Sequence, residues 1–409
     1  MSKEKLIPEF RFPEFENSGE WQYEYGDELF EPISNKNHNS DLPILAITQE
    51  QGAIPRDLID YHVSVSEKSV ERYKVVEIGD FIISLRSFQG GIEYSNYLGL
   101  CSPAYIILRK KRDVLNDFYR HYFKSFLFIQ DLNRNLEGIR DGKMISYKQF
   151  SEILIPNPRK QEQQKIASCL SSLDELIAAH NDKLDALKDH KKGLLQNLFP
   201  QEGERVPKFR FPEFENDGEW VEKKLGDLTE KIGDGIHTTP KYDDSGDYFF
   251  INGNNLIDGK IYVGEKTKRV SRLEYEKHKK ELNETTVLLS INGTIGNVAF
   301  YNKESVVLGK SACYMTPNQE LNSIFLFYSL QCPKITSFFF SELTGSTIKN
   351  LSLRTIRETA FGLPTIQEQQ KIASCLSALD ELITAQQEKI EQLKMHKKGL
   401  MQGLFPSAV

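Results

Sequence analysis

A stretch of forty residues occurs twice in this chain. Residues 161–200 open with QEQQKIASCL and return as residues 367–406, with 29 of the 40 positions identical. Whatever one copy folds into, the other must fold into as well. In the first copy Leu173, Ile177, His180, Leu184, Leu187, Lys191, Leu194 and Leu198 alternate spacings of four and three. The second copy repeats the series as Leu379, Ile383, Gln386, Ile390, Leu393, Lys397, Leu400 and Leu404. Such a stripe is the seam of a helix that packs along another helix. Near-identical copies in one chain most simply pack on each other, antiparallel about a pseudo-twofold axis.

Local signals bound these helices. Thr365 and Glu368 fit a capping box, and Asn157 followed by Pro158 suits an N-cap with a first-turn proline. Pro200 and Pro406 end the pattern. A helix of about 38 residues is roughly 57 Å long at 1.5 Å per residue.

A second repeat precedes each body. PEFRFPEFENSGEW at residues 8–21 returns as PKFRFPEFENDGEW at residues 207–220, carrying the two tryptophans, Trp21 and Trp220, at equivalent places. These anchor the lead-in segment against the body that follows. The period is too long for a solenoid, so the chain is a tandem duplication of a half-protein. Residues 30–155 and 229–360 between the repeats do not align. Both read as mixed strand and turn, with strands such as DFIISL, AYIILR and TVLLSI bounded by Gly, Asn and Asp.

The expected fold class is α+β, with two mixed α/β bodies separated by two long helices packed as an antiparallel coiled coil. The expected boundaries are 1–157 for the first body, 158–200 for the first repeated helix, 201–363 for the second body and 364–409 for the second helix. A chain of 409 residues suits more than one core.

Net charge is −6, which counts mildly against a nucleic-acid partner, but the distribution matters more. Residues 30–155 hold 16 basic and 16 acidic side chains, and residues 221–363 hold 18 and 17. The acidic excess therefore lies in the linking and helical segments, and local basic surfaces remain open to the bodies. The five cysteines (Cys101, Cys169, Cys313, Cys332, Cys375) have no metal-ligand spacing, and Cys169 and Cys375 read as small core residues. No apolar run is long enough for a membrane span, and MSKEKLIPEF lacks the core of a signal peptide. A reduced, cytoplasmic protein is expected.

Motifs for catalysis are incomplete. Residues 308–311, LGKS, hint at a phosphate loop, but the glycine required five residues before the Gly-Lys pair is replaced by Glu304. SPAY at residues 102–105 lacks the second proline of the amino-methyltransferase loop, and GTIG at residues 293–296 is no dinucleotide fingerprint. Neither a zinc spacing nor a flanked Ser or Cys nucleophile is present. A non-catalytic protein is expected.

Two half-repeats, each with RFPEF…GEW, a variable body and a helix opening QEQQKIA and ending GL(L/M)Q, resemble the specificity subunit of type I restriction–modification systems. In the second body IGDGIHTTPKY (232–242), INGNNLIDGKI, LLSINGTIGNVAFY and GSTIKNLSLRTI look like that family's recognition domains. In the first, GIRDGKMISYKQFSEILIPNP (138–158) fits as well. The resemblance implies that each body is a target recognition domain reading one half of an asymmetric bipartite DNA sequence. It implies that the helices set the unread spacer and dock two methyltransferase subunits, joined by restriction/translocase subunits. S-adenosylmethionine, ATP and Mg2+ would belong to those partners, with none bound by this chain.

Reading in the major groove needs polar and basic side chains on loops, with phosphate contacts fixing register. In the first body the candidates are Arg86, Ser87, Gln89 and Tyr94 around the SFQGG turn, with Arg140 and Lys143. In the second they are His237, Thr238, Thr239, Lys241, Asn292, Thr294, Ser346, Thr347 and Lys349. Each competes with the plainer reading of a solvated loop residue. The paired lysines Lys191–Lys192 and Lys397–Lys398 suit either the negative end of a helix or a phosphate. The alternative function is a coiled-coil scaffold presenting two protein-binding domains, which accounts best for the acidic charge.

Overall fold

The computed structural model describes residues 7–59, 70–134, 145–345 and 349–406. It divides into two compact units, residues 1–181 with 388–409, and residues 182–387. The long helices, Lys160–Asn197 and Ile366–Leu404, are thus shared between the units rather than forming domains of their own.

The strands of the first unit are β1 (Gln22–Tyr25), β2 (Phe30–Ile33), β3 (Leu45–Thr48), β4 (Gly52–Pro55), β5 (Lys74–Val76), β6 (Phe81–Ile83), β7 (Glu93–Tyr94), β8 (Gly99–Cys101), β9 (Ile106–Lys110) and β10 (Leu154–Asn157). A four-stranded antiparallel sheet runs β2-β9-β6-β7. β1 pairs with β10 and so closes the body at its base, with Gln22 opposite Asn157. Phe30, Phe81, Phe118, Tyr119, Phe123 and Phe150 fill the core at no measurable exposure. Their rings meet mostly edge to face, the arrangement their quadrupoles favour.

The second unit contains β11 (Val221–Lys224), β12 (Thr229–Asp234), β13 (Tyr248–Ile251), β14 (Leu256–Ile257), β15 (Lys260–Ile261), β16 (Arg269–Val270), β17 (Val287–Ser290), β18 (Val298–Phe300), β19 (Val306–Leu308), β20 (Ala312–Pro317) and β21 (Ala360–Leu363). Its main sheet runs β12-β20-β17-β18, antiparallel throughout, and β11 pairs with β21. This is the β2-β9-β6-β7 order again. The registers correspond: Phe30 faces Lys110 as Thr229 faces Pro317, and Phe81 faces Leu108 as Val287 faces Met315. Bodies that do not align as sequences are therefore built on one sheet, because alternating burial fixes strand order without fixing side-chain identity.

The repeated residues tie each body to its helix. Arg11 donates to both carboxylate oxygens of Glu162 at 2.7 and 2.9 Å, and the Trp21 indole N–H donates to the same carboxylate at 3.0 Å. Arg210, Glu368 and Trp220 repeat this at 2.8, 2.7 and 3.3 Å. Both carboxylates and both indoles are buried, so all three partners are needed to satisfy them. The tryptophans anchor the lead-in segment. Gln163 and Gln369 follow with a second tie: their side-chain carbonyls accept the Leu115 and Asn322 backbone N–H groups at 3.0 and 2.8 Å.

Two helix starts differ from expectation. Thr365 Oγ1 accepts the Glu368 N–H at 3.3 Å, but the Glu368 carboxylate turns to Arg210 and Trp220, so only half of the capping box forms. Asn157 is the last residue of β10 and the helix begins at Lys160; the Asn157 side chain bonds Glu24 and Gln163 instead. In both cases a tertiary partner outcompetes the local cap.

Within each unit the start of one helix runs antiparallel to the end of the other. In the first unit Ile166, Ala167 and Leu170 share a core with Leu400, Leu404 and Phe405, and Asp174 further along meets Lys397 at 2.5 Å. In the second, Ile372, Ala373 and Leu376 share a core with Leu194, Leu198 and Phe199, and Asp380 meets Lys191 at 2.6 Å. Lys191 and Lys397 are therefore ion-paired inside the seam, whereas Lys192 and Lys398 stay exposed. Phe405 and Phe199 finish the helices by entering the cores, and burying a side chain of that size contributes about 1.5–3 kcal/mol. All five cysteines are free thiols.

Candidate nucleic-acid interface

In the second unit one end of the main sheet gathers five loops. β12 and β17 end there and β20 begins there, since Asp234 faces Cys313 and Ser290 faces Ala312. β13 and β19, paired in parallel, deliver residues 252–255 and 309–311 beside them. Hydrogen bonds join the loops. Ile236 N–H donates to the Leu308 carbonyl at 2.8 Å, Gly253 N–H to Ser311 Oγ at 2.8 Å, and Leu351 N–H to the Ile291 carbonyl at 2.9 Å. Gly235 crosses so close to the Leu308 carbonyl that a Cβ there would overlap it. The second glycine of GDG is thus a steric requirement of this crossing.

His237, Thr238, Thr239 and Lys241 are exposed on the first of these loops, with the His237 ring held by Asp234 at 2.7 Å. Asn292 and Thr294 lie on the loop after β17. Asn292 is bridged to Asn350, and Gly293 N–H donates to the Lys349 carbonyl at 3.4 Å. The structure therefore brings together His237, Thr238, Thr239, Lys241, Asn292, Thr294 and Lys349 from three separated motifs. Ser346 and Thr347 lie outside the described residues.

Residues not singled out from sequence join this face. Lys310, in the incomplete LGKS phosphate motif, is exposed in the loop between β19 and β20. Lys241, Lys310 and Lys349 form no ion pair among the described residues. Next to them Tyr242, Phe250, Asn254, Tyr262, Lys266 and Lys268 line an open groove of about 720 Å³. Tyr242 and Tyr262 are 41% and 59% exposed beside amides and ammonium groups, with Lys268 Nζ 5.8 Å from the centre of the Tyr242 ring. The signal for the groove was INGNNLIDGKI, but spacing did not reveal which asparagines face outward.

The first unit repeats the plan with different residues. β2 and β6 end, and β9 begins, at the same end of its sheet, since Ile33 faces Ile107 and Ile83 faces Ile106. The turn after β6 carries the short helix Ser87–Gly90, with Arg86 and Gln89 exposed. Gly91 follows at φ 80°, where a Cβ would overlap the Phe123 carbonyl. Ser87 is a correction: it is 1% exposed and its Oγ accepts the Ser84 N–H at 2.9 Å, so it braces the turn and leaves the set of readers. Tyr94 is half-buried, its ring 5.3 Å from Phe81 and 5.4 Å from the Arg120 guanidinium. Burial pushes its hydroxyl up. Arg140 and Lys143 lie outside the described residues.

The chain thus carries two copies of one sheet, each with polar loops gathered at one end. A family model described as the type I restriction modification DNA specificity domain matches residues 28–189 and again 217–395. The chain belongs to that family, and is the DNA-recognition component of a type I restriction–modification system. It is similar to the putative type I restriction enzyme MjaX specificity subunit of Methanocaldococcus jannaschii, with 24% identity over 95% of this chain and 94% of that one. The MjaVIII specificity subunit of the same organism is also 24% identical, over 85% and 82%. The fold is shared with a chain solved in work on assembly and conformational transition of the type I R-M system (TM-score 0.59, 17% identity, 95% and 98% covered). It is shared too with the M. genitalium type I S subunit (TM-score 0.55, 15% identity, 99% and 100% covered). Among the described residues no helix is long and apolar enough to cross a membrane.

Proposed function

We propose that each unit reads one half of an asymmetric bipartite duplex sequence through the major groove. The observation that carries this is the division of labour within each unit. Residues that tie body to helix are repeated almost letter for letter, while the exposed loop residues at the open end of the sheet differ. Arg86 and Gln89 occupy the loop after β6; Asn292 and Thr294 occupy the equivalent loop after β17. Asn and Gln suit adenine, Arg suits guanine, and exposed lysines suit phosphates. Different loops on the same sheet give different half-sites.

The helices set the unread spacer and dock two methyltransferase subunits, with restriction/translocase subunits joining them. The chain itself is non-catalytic, and S-adenosylmethionine, ATP and Mg2+ act in those partners. Selection from a randomised duplex library by the assembled complex tests the reading. It should return two fixed half-sites around a fixed gap. Replacing the first body should change one half-site, and adding one heptad to a helix should change only the gap. Loss of both half-sites on replacing one body would sink the proposal, and binding without sequence preference would favour the protein-scaffold alternative.

A further inference from the structure

The turn carrying Arg86 and Gln89 rests on a half-buried ammonium. Lys124 Nζ donates to the Gln49 carbonyl at 3.1 Å, the Gly90 carbonyl at 3.0 Å and Glu93 Oε1 at 2.5 Å. Gln49, at the tip of the β3–β4 hairpin, donates in turn from Nε2 to the Arg86 carbonyl at 3.3 Å. Ile92 N–H donates to the Phe123 carbonyl, the atom that Gly91 skirts. One lysine thus joins the turn, the hairpin tip and the edge strand β7. We propose that Lys124, held by Glu93, is the positioning residue that sets the register of the Arg86–Gln89 turn on the first half-site. The proposal rests on the reading of that turn as a DNA contact.

The second unit supplies the independent argument. Ile82 faces Glu93 in β7, and its counterpart Leu288 faces Ala299 in β18. On the helices, the N–H groups bonded by Gln163 and Gln369 equate Leu115 with Asn322, and so Lys124 with Gln331. Among the described residues the Gln331 side chain donates to the Phe327 carbonyl, in the helix just before it, at 2.9 Å. Likewise Arg120 over Tyr94 corresponds to Phe327 stacked on Phe300 at 4.5 Å. The same sheet therefore folds with an alanine and a glutamine in place of the ion pair.

The pair is also a costly way to hold a fold together. Glu93 is 1% exposed, and its Oε2 has no hydrogen-bond partner among the described residues. Burial raises the Glu93 carboxyl and lowers the Lys124 ammonium, each against the pull of the other. A pair whose carboxylate is buried with an unsatisfied oxygen is weak support for stability, and fixing a geometry is a better use of it. What it fixes here is the path of the turn, because two of the three ammonium bonds go to backbone carbonyls of the loops themselves.

The experiment compares the assembled complex carrying the natural chain with Lys124→Met, with Glu93→Gln, and with the double variant Glu93→Ala/Lys124→Gln. The double variant places the second unit's own residues in the first, so it has a folded precedent. Each is used to select from a randomised duplex library, and the salt dependence of binding is measured on the selected site. Lys124→Met and the double variant should lose about ten-fold or more in discrimination at one half-site, keep the other, and leave the salt slope unchanged. Glu93→Gln, which still offers an acceptor, should lose less. Discrimination intact in both halves, or lost equally from both, overturns the proposal. A salt slope smaller by about one makes Lys124 a phosphate contact and overturns it as well. If the natural chain selects no bipartite site, the underlying reading falls and the positioning role falls with it.

Discussion

Glu162 receives the Nε and Nη2 edge of the Arg11 guanidinium, across 151 residues of chain, with both side chains almost fully buried. The pair fastens the lead-in segment to the first turn of the central helix, and Trp21 shares the same carboxylate. Glu162→Ala would leave the Nε and Nη2 donors of a buried guanidinium and an indole N–H without their acceptor, with only Arg11 Nη1 still bonded, to the Gly19 carbonyl. Removing one partner of a buried pair costs about 3–5 kcal/mol. The expected loss is confined to the first unit, and Glu368→Ala should destabilise the second unit alike. Hydrogen exchange resolved by residue would check this; equal loss of protection in both units from one substitution would contradict it.

His121 predicts a pH dependence. It is buried, with Nε2 3.2 Å from Ser171 Oγ and Nδ1 3.8 Å from Asp174. Burial and the Lys397 ammonium push its imidazole down to about 4, with Asp174 pulling the other way. Its pKa in the unfolded chain is about 6.5, so between those values the unfolded state binds more protons. Stability is therefore full above about pH 6.5 and falls as pH drops toward 4, by up to roughly 3 kcal/mol. In the second unit the same place holds Tyr328, whose hydroxyl donates to Asp380 at 2.8 Å. His121→Tyr should flatten the acid limb of the stability curve, and denaturant melts at pH 7 and pH 5 would reveal an unchanged slope if the assignment is wrong.

Gly91→Ala should disable the first half-site alone. The residue sits at φ 80° with no room for a Cβ, so the turn must shift rather than merely stiffen. Library selection should show one half-site degraded while the second persists.

Lys310→Ala and Lys349→Ala should weaken binding to all duplexes by a similar factor. Each removes one exposed cation, so the slope of log affinity against log salt should shrink by about 0.9 per substitution. Altered base preference, with an unchanged slope, would instead make either lysine a base reader.

The helices were legible because a seven-residue stripe repeated 206 positions away leaves few other folds, and the tryptophan lead-ins because they recur as words. The shared sheet was not legible. Strand order is a property of non-local pairing, and buried positions accept Phe81 in one unit and Val287 in the other. The misassigned caps show the same limit, since Glu368 has a good local partner in sequence and a better distant one in space. At the site, loop polarity exposed most candidates, but not Ser87, whose hydroxyl is spent inside its own turn. Lys310 hid in a motif judged only by the enzyme it failed to match.

The division of the long helices has a consequence for biosynthesis. The second unit is continuous, residues 182–387, whereas the first needs Leu404 and Phe405 to fill its core. During synthesis from the N-terminus, the body made first must wait with an open core until the last helix emerges. The later half of the protein is therefore the earlier one to fold, and a released chain truncated at residue 390 should display a protease-resistant second unit beside a cleavable first.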